Sequence, residues 1–240
     1  MFRRWRAIGC RVPGDMQKLS IQVGDDITVS GILQAPHDPV ACYVFAHGAG
    51  AGMEHAFMTA VADGLAERRI ATLRYQFPYM ERGSKRPDTP PVAHAAVRAA
   101  VALAAREFGS LRLLAGGKSF GARMTSQAQA IEPLPQVAGL VFLGFPLHPA
   151  GTPSTSRADH LSKVQIPMLF VQGTQDKLAD LDKLHPVVAG LGARATLMTI
   201  EHADHSFHVP KRSGRDDEAV LKDVLDGVAQ WADGLRTGSR

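Results

Sequence analysis

The stretch LRLLAGGKSFGARM, residues 111–124, decides the fold, because it leads from a buried strand into a helix through a serine flanked by glycines. Its first residues are apolar, as in a strand buried on both faces. The pattern G-x-S-x-G follows at Gly117, Ser119 and Gly121. A sharp turn needs both glycines, since their missing Cβ atoms let backbone segments approach each other. We therefore expect Ser119 to project from a tight strand-to-helix turn, the arrangement of a nucleophile elbow.

Ser119 requires two partners if it is a nucleophile. A serine hydroxyl is weak on its own and needs a base within hydrogen-bond reach, which a carboxylate in turn orients. Asp176 stands just after the apolar run at 168–171, and His205 follows the run at 196–200. The three required residue types thus occur at three strand ends in the order Ser, Asp, His. The sequence predicts a catalytic triad of Ser119, Asp176 and His205.

Each of these residues also has an ordinary structural interpretation. Ser119 is compatible with a helix-capping serine, Asp176 with a turn or cap aspartate, and His205 with a surface-loop histidine. Asp204 competes with Asp176 as the orienting acid, but an adjacent side chain usually points away from its neighbour, so Asp176 is preferred. 

The loop that bears His205 has a second interpretation. His202, His205 and His208, together with Asp204, are types that could bind a metal ion. Three closely spaced histidines without a partner cluster elsewhere are a weak metal signal. The sequence therefore predicts no metal site. A serine nucleophile with a histidine base needs no cofactor, so none is expected.

Acyl transfer also needs backbone amides that stabilise the charge developing on the carbonyl oxygen. One amide should come from Phe120, the residue after the nucleophile. The glycine-rich stretch VFAHGAGAG, residues 44–52, follows an earlier apolar run and should supply the second. We assign this oxyanion-hole donor to Ala49, with Gly50 as the alternative. The stretch lacks the G-x-x-x-x-G-K-[ST] pattern, so nucleotide binding is not expected.

Apolar runs alternate with helical patterns along the rest of the chain, which predicts an α/β fold with a mostly parallel, doubly wound sheet. An alternating segment around a turn at 24–26 predicts an antiparallel hairpin at the start. The predicted buried strands are 43–46, 70–73, 111–115, 137–143, 168–171 and 196–200. The predicted helices are 55–69, 91–108, 122–131, 179–191 and 216–235. The connection between 144 and 168 has room for one short helix and not for a cap domain.

Composition narrows the classes of protein. The formal net charge is +4, and Arg3, Arg4, Arg6 and Arg11 account for it, so the body is neutral and no nucleic-acid partner is expected. Two cysteines exclude a disulfide framework, and no stretch resembles a membrane span. We predict a cytoplasmic protein with a flexible basic extension at 1–15, one domain at 16–236 and a polar tail at 237–240; Met16 is an alternative start.

Four strings carry a resemblance to a known family. They are HGAG at 47–50, RYQFPYME at 74–81, GGKSFGARM at 116–124 and GTQD at 173–176. From about Met16 onward the chain resembles the α/β-hydrolase superfamily, in particular the small lidless group that includes dienelactone-hydrolase-like proteins and testis-expressed/NSL-complex-subunit-type domains. Dienelactone hydrolases use a cysteine nucleophile, whereas position 119 is serine, so the resemblance does not extend to their substrate.

The resemblance implies a single-domain α/β-hydrolase fold and a serine hydrolase that cleaves a carboxylic ester or related acyl bond of a small molecule. Some members of the resembled group are non-enzymatic subunits, so a binding or scaffold protein is the alternative. Lys118 and Arg123 flank the elbow and either bind an acidic substrate group or, the interpretation we favour, pair with carboxylates that brace loops such as the one bearing Glu81. A shallow pocket is expected from 75–81, 146–148 and Phe207.

Overall fold

The structure is a computed structural model that describes residues 15–235. Residues 1–14 of the predicted extension and the predicted tail at 237–240 lie outside this part. The described chain begins with an antiparallel hairpin of β1 (Asp15–Val23) and β2 (Ile27–Ala35), whose register pairs Val23 with Ile27 around the turn at 24–26. Ile21, Val23 and Val29 are buried, which agrees with the period-two alternation of this segment.

Strands and helices alternate after the hairpin. The strands are β3 (Ala41–Ala46), β4 (Ile70–Tyr75), β5 (Arg112–Lys118), β6 (Val137–Leu143), β7 (Met168–Gly173) and β8 (Ala195–Ile200). The helices are α1 (Ala56–Glu67), α2 (Pro78–Glu81), α3 (Pro90–Glu107), α4 (Phe120–Ile131), α5 (Leu181–Gly190) and α6 (Asp217–Gly234). Three short 3₁₀ helices span Ser156–Lys163, Gly192–Arg194 and Lys211–Ser213. The predicted fold class is confirmed, and the short helix α2 was not predicted.

One eight-stranded sheet has the order β1-β2-β4-β3-β5-β6-β7-β8, and all strands from β4 to β8 run parallel. β2 pairs antiparallel with β4 and so attaches the hairpin to the sheet edge. Parallel strands joined by helices end at the same edge of the sheet, and their carboxyl-end loops meet there. The loops that bear Ser119, Asp176 and His205 follow β5, β7 and β8 at this edge.

Helices cover both faces of the sheet, which explains the near-continuous apolar runs. Cys42 and Val44 of β3 face the core formed with α3, α4 and α5, whereas Tyr43 and Phe45 face the core formed with α1 and α6. Each interior strand therefore buries side chains in two directions. Helix α3 fits this close packing because its buried side is lined by small residues, at Ala93, Ala96, Val97, Ala100, Val101 and Ala104.

Two strands differ from expectation. β5 continues through Lys118 rather than ending at Ala115, because Gly116 and Gly117 stay paired with β3 and β6 instead of opening a turn. β8 was predicted to be buried on both faces, but most of its residues are partly or fully exposed. It is the outermost strand of the sheet beside β7, and no strand of the described chain pairs with its far side. Its apolar composition alone does not reveal this position.

The connection between β6 and β7 contains one 3₁₀ helix, Ser156–Lys163, as its length allowed. It packs on α4 and carries no second layer that could serve as a cap domain. No helix among residues 15–235 has the length and apolar character that crossing a bilayer requires.

Phe170 tests the packing of the central sheet. Its ring is fully buried in β7 and lies 4.9 Å from the Phe142 ring and 5.7 Å from the Phe145 ring, measured between centroids. Phe170→Ala should lower the free energy of unfolding by about 3–5 kcal/mol, because the neighbours cannot fill the space left. Urea unfolding measures this loss.

Ile131→Ala is the control for that experiment, since Ile131 is 70% exposed at the end of α4. It should change the free energy of unfolding by less than about 0.5 kcal/mol. A similar small effect of Phe170→Ala would contradict the packing described for β7.

Candidate active site

Ser119 sits in a strained turn between β5 and α4. Its backbone has φ 51° and ψ −109°, a conformation that non-glycine residues rarely adopt. A Cβ atom on Gly117 would lie 2.4 Å from the Ala46 carbonyl oxygen, and one on Gly121 would lie 2.5 Å from the same atom. The two glycines of G-x-S-x-G thus let the turn pass directly against the end of β3. The predicted elbow is present, and it points the serine out of the sheet edge.

The structure brings the three predicted triad residues together. The imidazole Nε2 of His205 lies 2.8 Å from Ser119 Oγ, and its Nδ1 lies 2.6 Å from Asp176 Oδ2. Since a carboxylate oxygen only accepts, Nδ1–H donates to Asp176 and leaves Nε2 to accept the serine hydroxyl proton. His205 remains partly exposed, while the Asp176 side chain is inaccessible to solvent. The arrangement orders a hydroxyl, a base and a buried carboxylate in one line of hydrogen bonds.

Asp176 is held by one group on β7 and one on its own loop. Its Oδ1 accepts a 2.8 Å hydrogen bond from the Leu178 amide, and its Oδ2 accepts a short hydrogen bond from the Gln172 side-chain amide. The loops after β7 and β8 are joined by a hydrogen bond of 2.8 Å from the Gln175 amide to the Ala203 carbonyl. Gln172 was not predicted, because a glutamine at the end of an apolar run has no distinctive pattern.

Asp204 points away from the imidazole. Its Oδ1 accepts hydrogen bonds from the Ser206 amide at 2.7 Å and the His208 amide at 3.0 Å, so this carboxylate stabilises the turn that carries His205. The geometry therefore favours Asp176 over Asp204 as the acid that orients the imidazole.

The histidines of this loop do not converge on one point. His208 pairs with Asp217 at 2.8 Å, which raises the pKa of His208, and His202 is exposed beside Glu201. Within residues 15–235 no three His, Cys, Asp or Glu side chains are grouped so that they could hold a metal ion.

Two backbone amides near Ser119 are available for a ligand. Neither the Ala49 amide nor the Phe120 amide has a hydrogen-bond partner in the described part of the chain. The Gly50 amide, the alternative donor, is already engaged, since it donates a 2.9 Å hydrogen bond to the Tyr79 hydroxyl. This difference favours Ala49 over Gly50 as the second oxyanion donor.

The loop that carries Ala49 is fixed by side chains that sequence reasoning left without a role. His47 is fully buried; its Nδ1–H donates to the Gly48 carbonyl at 2.7 Å, and its Nε2 accepts from the Phe77 amide at 3.1 Å. Burial lowers the pKa of His47 to about 4, so the ring is neutral near pH 7. Gln76 adds a hydrogen bond of 2.9 Å from the Met53 amide. The string at 74–81 therefore braces the glycine-rich loop.

The basic residues near the elbow differ from expectation. Lys118 pairs with no carboxylate among residues 15–235; its Nζ donates to the His205 carbonyl at 2.6 Å. Arg123 makes no ion pair with any residue from 15 to 235, and burial together with nearby Arg157 lowers its pKa. Glu81 instead accepts hydrogen bonds from the Ser30 amide and hydroxyl. The buried guanidinium of Arg74 donates to the Thr59 hydroxyl and to the Gln34 side-chain oxygen. These partners are neutral, whereas carboxylates were expected to brace the loops near the elbow.

The expected pocket walls are mostly packed inside the protein. Tyr75, Phe77 and Tyr79 are buried, and Phe207 is only 4% exposed. A cavity of about 600 Å³ lies beside the site; its lining includes His148 and Asp176 but neither Ser119 nor His205. The residues expected to form the pocket therefore do not line this cavity, except for His148.

A comparison with protein families matches residues 39–233 to the model described as an alpha/beta hydrolase domain. The chain belongs to the α/β-hydrolase family. The match spans the loops that bear Ser119, Asp176 and His205. It confirms the resemblance to the α/β-hydrolase family that the sequence indicated.

Solved structures share the fold of this α/β hydrolase at low sequence identity. Dienelactone hydrolase from Anabaena variabilis is 20% identical, with a TM-score of 0.72, over 91% of this chain and 97% of that one. A serine hydrolase without a lid from Xanthomonas campestris is 20% identical, with a TM-score of 0.71, over 93% and 98%. Est1E from Butyrivibrio proteoclasticus with ferulic acid bound is 19% identical, with a TM-score of 0.65, over 88% and 99%.

His47 links the pH dependence of this hydrolase's stability to the glycine-rich loop. Its pKa is about 4 in the folded chain and about 6.5 when unfolded, so the unfolded state binds more protons between these values. The stabilisation is complete above about pH 6.5 and is lost as the pH falls toward 4. Between pH 7 and pH 5 the wild-type protein should therefore lose about 2 kcal/mol more unfolding free energy than His47→Gln.

Urea unfolding of both proteins at the two pH values measures this difference. His160 also has a pKa lowered to about 4 by burial, but both proteins retain it, so its effect cancels. His37→Gln, at an exposed position, is the matched control and should keep the wild-type pH dependence. Equal pH dependence in His47→Gln and wild type would contradict a neutral, buried His47.

Proposed function

We propose that this α/β hydrolase cleaves a carboxylic ester or related acyl bond of a small molecule through a covalent acyl-enzyme. The observation that carries the proposal is the continuous hydrogen-bond line from Ser119 Oγ through the His205 ring to Asp176. A hydroxyl, a base and an orienting carboxylate in this order are what nucleophilic acyl transfer needs.

The first half of the reaction forms the acyl-enzyme. Ser119 Oγ attacks the substrate carbonyl carbon while His205 Nε2 takes the hydroxyl proton, and Asp176 stabilises the imidazolium through Nδ1–H. The tetrahedral intermediate collapses as the carbonyl reforms and the leaving group departs with the proton from Nε2. The buried carboxylate is effective here because no water competes for its bond to the ring.

The oxyanion of that intermediate needs hydrogen-bond donors that are already in position. We assign this role to the amides of Phe120 and Ala49, which have no other partner among residues 15–235. Phe120 begins α4, so the positive end of the helix dipole adds to the stabilisation. His47 and Tyr79 hold the Ala49 loop, which keeps the second donor in place before substrate arrives.

The second half of the reaction releases the acid. A water molecule gives a proton to His205 Nε2 and attacks the acyl carbon. As the second tetrahedral intermediate collapses, Nε2 gives this proton to Ser119 Oγ and the carboxylic acid leaves. These steps require no cofactor. Small esters are the preferred substrates in this proposal, because the aromatic residues expected to form an acyl pocket are packed inside the protein.

Ser119→Ala tests the nucleophile. The substitution removes the attacking oxygen and leaves the fold in place, so turnover of a p-nitrophenyl ester should fall by about 10⁴-fold or more. Labelling by a fluorophosphonate, followed by intact-protein mass spectrometry, should disappear in the same variant. Ser110→Ala is the matched control, because Ser110 is exposed at the start of β5, the opposite end of the strand from Ser119.

The outcomes separate the candidate functions. A wild-type protein that takes no label and hydrolyses no ester would support the alternative of a binding or scaffold protein. Ester hydrolysis that a chelator abolishes would support a metal-dependent reaction instead. Activity of Ser119→Ala above a tenth of the wild-type value would show that another group is the nucleophile.

Asp176→Asn and Asp204→Asn test the choice of carboxylate. The first should cost about 10³- to 10⁴-fold in kcat, because the asparagine no longer holds the ring in the required tautomer. The second should cost about tenfold or less, since Asp204 acts only on the turn. Steady-state kinetics at pH 7.5 measures both. A larger loss from Asp204→Asn would transfer the acid role to Asp204.

A further inference from the structure

Lys118, the residue before the elbow serine, crosses the sheet edge to reach the loop that bears His205. Its stem passes Gly48, where a Cβ atom would lie 3.6 Å from Lys118 Cγ, and its ammonium passes Gly144, where a Cβ atom would lie 2.8 Å from Nζ. A side chain at Gly144 would displace the ammonium, whereas one at Gly48 would make only an ordinary van der Waals contact with the stem. Lys118 therefore passes beside the glycine-rich loop and the loop after β6.

The ammonium ends on the backbone of the proposed base. Nζ donates a 2.6 Å hydrogen bond to the His205 carbonyl, and that oxygen accepts no other hydrogen bond from residues 15–235. Nζ also lies 5.5 Å from the centre of the Phe207 ring, a cation–π distance. Phe207 stacks on Phe57 with a centroid distance of 5.8 Å. One lysine thus contacts both residues that flank Ser206 in the loop.

This loop needs external support. Phe207 and His202 both have positive φ values, of 64° and 63°, which are unfavourable for residues with side chains. A backbone under such strain keeps its shape only when the surrounding contacts determine it. The Lys118 contact is made beside the strained residue, at the carbonyl of the residue that carries the imidazole.

The charged and titratable groups around the ammonium are His205, Asp176 and Asp204. The two carboxylates favour the charged amine, whereas the stronger effect of burial lowers the pKa of Lys118 to about 8. The ammonium therefore offsets the charge of the two carboxylates beside the imidazole.

We propose that Lys118 is a positioning residue for His205, which holds the imidazole in line with Ser119 through the backbone carbonyl and places a positive charge beside the ring. The proposal rests on the proposed function, since it takes His205 as the base. Lys118 acts in this proposal through the His205 carbonyl and not through a contact with the reacting atoms. Lys118 occupies the variable position before the serine in G-x-S-x-G, so the pattern itself does not specify this role.

Lys118→Met tests the proposal because methionine keeps most of the stem and removes both the charge and the donor. We expect kcat to fall by about 10- to 100-fold with KM changed less than about threefold, since a displaced base slows the chemistry more than binding. The acid limb of the kcat/KM profile should move toward higher pH by about 0.5 to 1, because the carboxylates then act on the imidazole unopposed.

Two further variants separate positioning from simple support of the fold. Lys118→Arg keeps the charge and should keep the wild-type acid limb even if its larger head lowers kcat. Lys163→Met, at an exposed position on the 3₁₀ helix, should match wild type in every measurement. A purely structural role would lower the thermal midpoint of Lys118→Met while leaving kcat and the acid limb of the folded protein at wild-type values.

A spectroscopic readout tests the proposal independently of turnover. The low-field proton NMR signal of His205 Nδ1–H, assigned by its loss in His205→Gln, should shift or broaden in Lys118→Met and persist in Lys118→Arg. If wild type hydrolyses esters but Lys118→Met keeps its kcat, its acid limb and this signal, the proposal is overturned and the proposed function stands. If wild type neither hydrolyses esters nor takes the phosphonate, the proposed function fails, and the signal alone decides whether Lys118 positions His205.

Discussion

The approach of Gly117 and Gly121 to the Ala46 carbonyl determines the geometry on which the rest of the site depends. With no Cβ at either position, the turn between β5 and α4 can press against the end of β3, and Ser119 is forced into a rarely occupied backbone conformation. The same contact places the free amide of Phe120 beside the glycine-rich loop that follows β3. One steric constraint thus positions the Ser119 hydroxyl and the amide proposed as an oxyanion donor.

Polar contacts between loops then complete the arrangement. The neutral His47 ring fixes the glycine-rich loop to the loop after β4, the Gln175 amide joins the loops after β7 and β8, and Lys118 joins the elbow to the His205 carbonyl. In each case a group on one loop meets a partner on another. Such contacts tie together segments that would otherwise move independently, which the near-attack geometry of acyl transfer requires.

Several features could be predicted from the sequence because they depend on local chemistry. The elbow follows from two glycines and a serine between a strand and a helix, and the positions of Asp176 and His205 follow from their places at strand ends. Other features could not. β8 has the composition of an interior strand and lies at the edge, and Lys118 was expected to meet a carboxylate but meets a backbone carbonyl. The partner of a side chain depends on which loops the fold brings together. The sequence of a single protein does not show which loops meet.

The sequence by itself determined the α/β alternation, the residue types of the candidate triad and their order at the strand ends, because hydrophobic periodicity and turn chemistry act over a few residues. Only the tertiary structure decided that Asp176 rather than Asp204 meets the imidazole, that Gly50 gives its amide to Tyr79 while Ala49 keeps its own free, and that Lys118 reaches His205. Asp176 and Asp204 lie on different loops, and the fold determines which of them meets the ring. Ala49 and Gly50 are neighbours in the chain. A difference of one or a few residues leaves the local pattern nearly unchanged but reverses the direction in which a side chain or amide points.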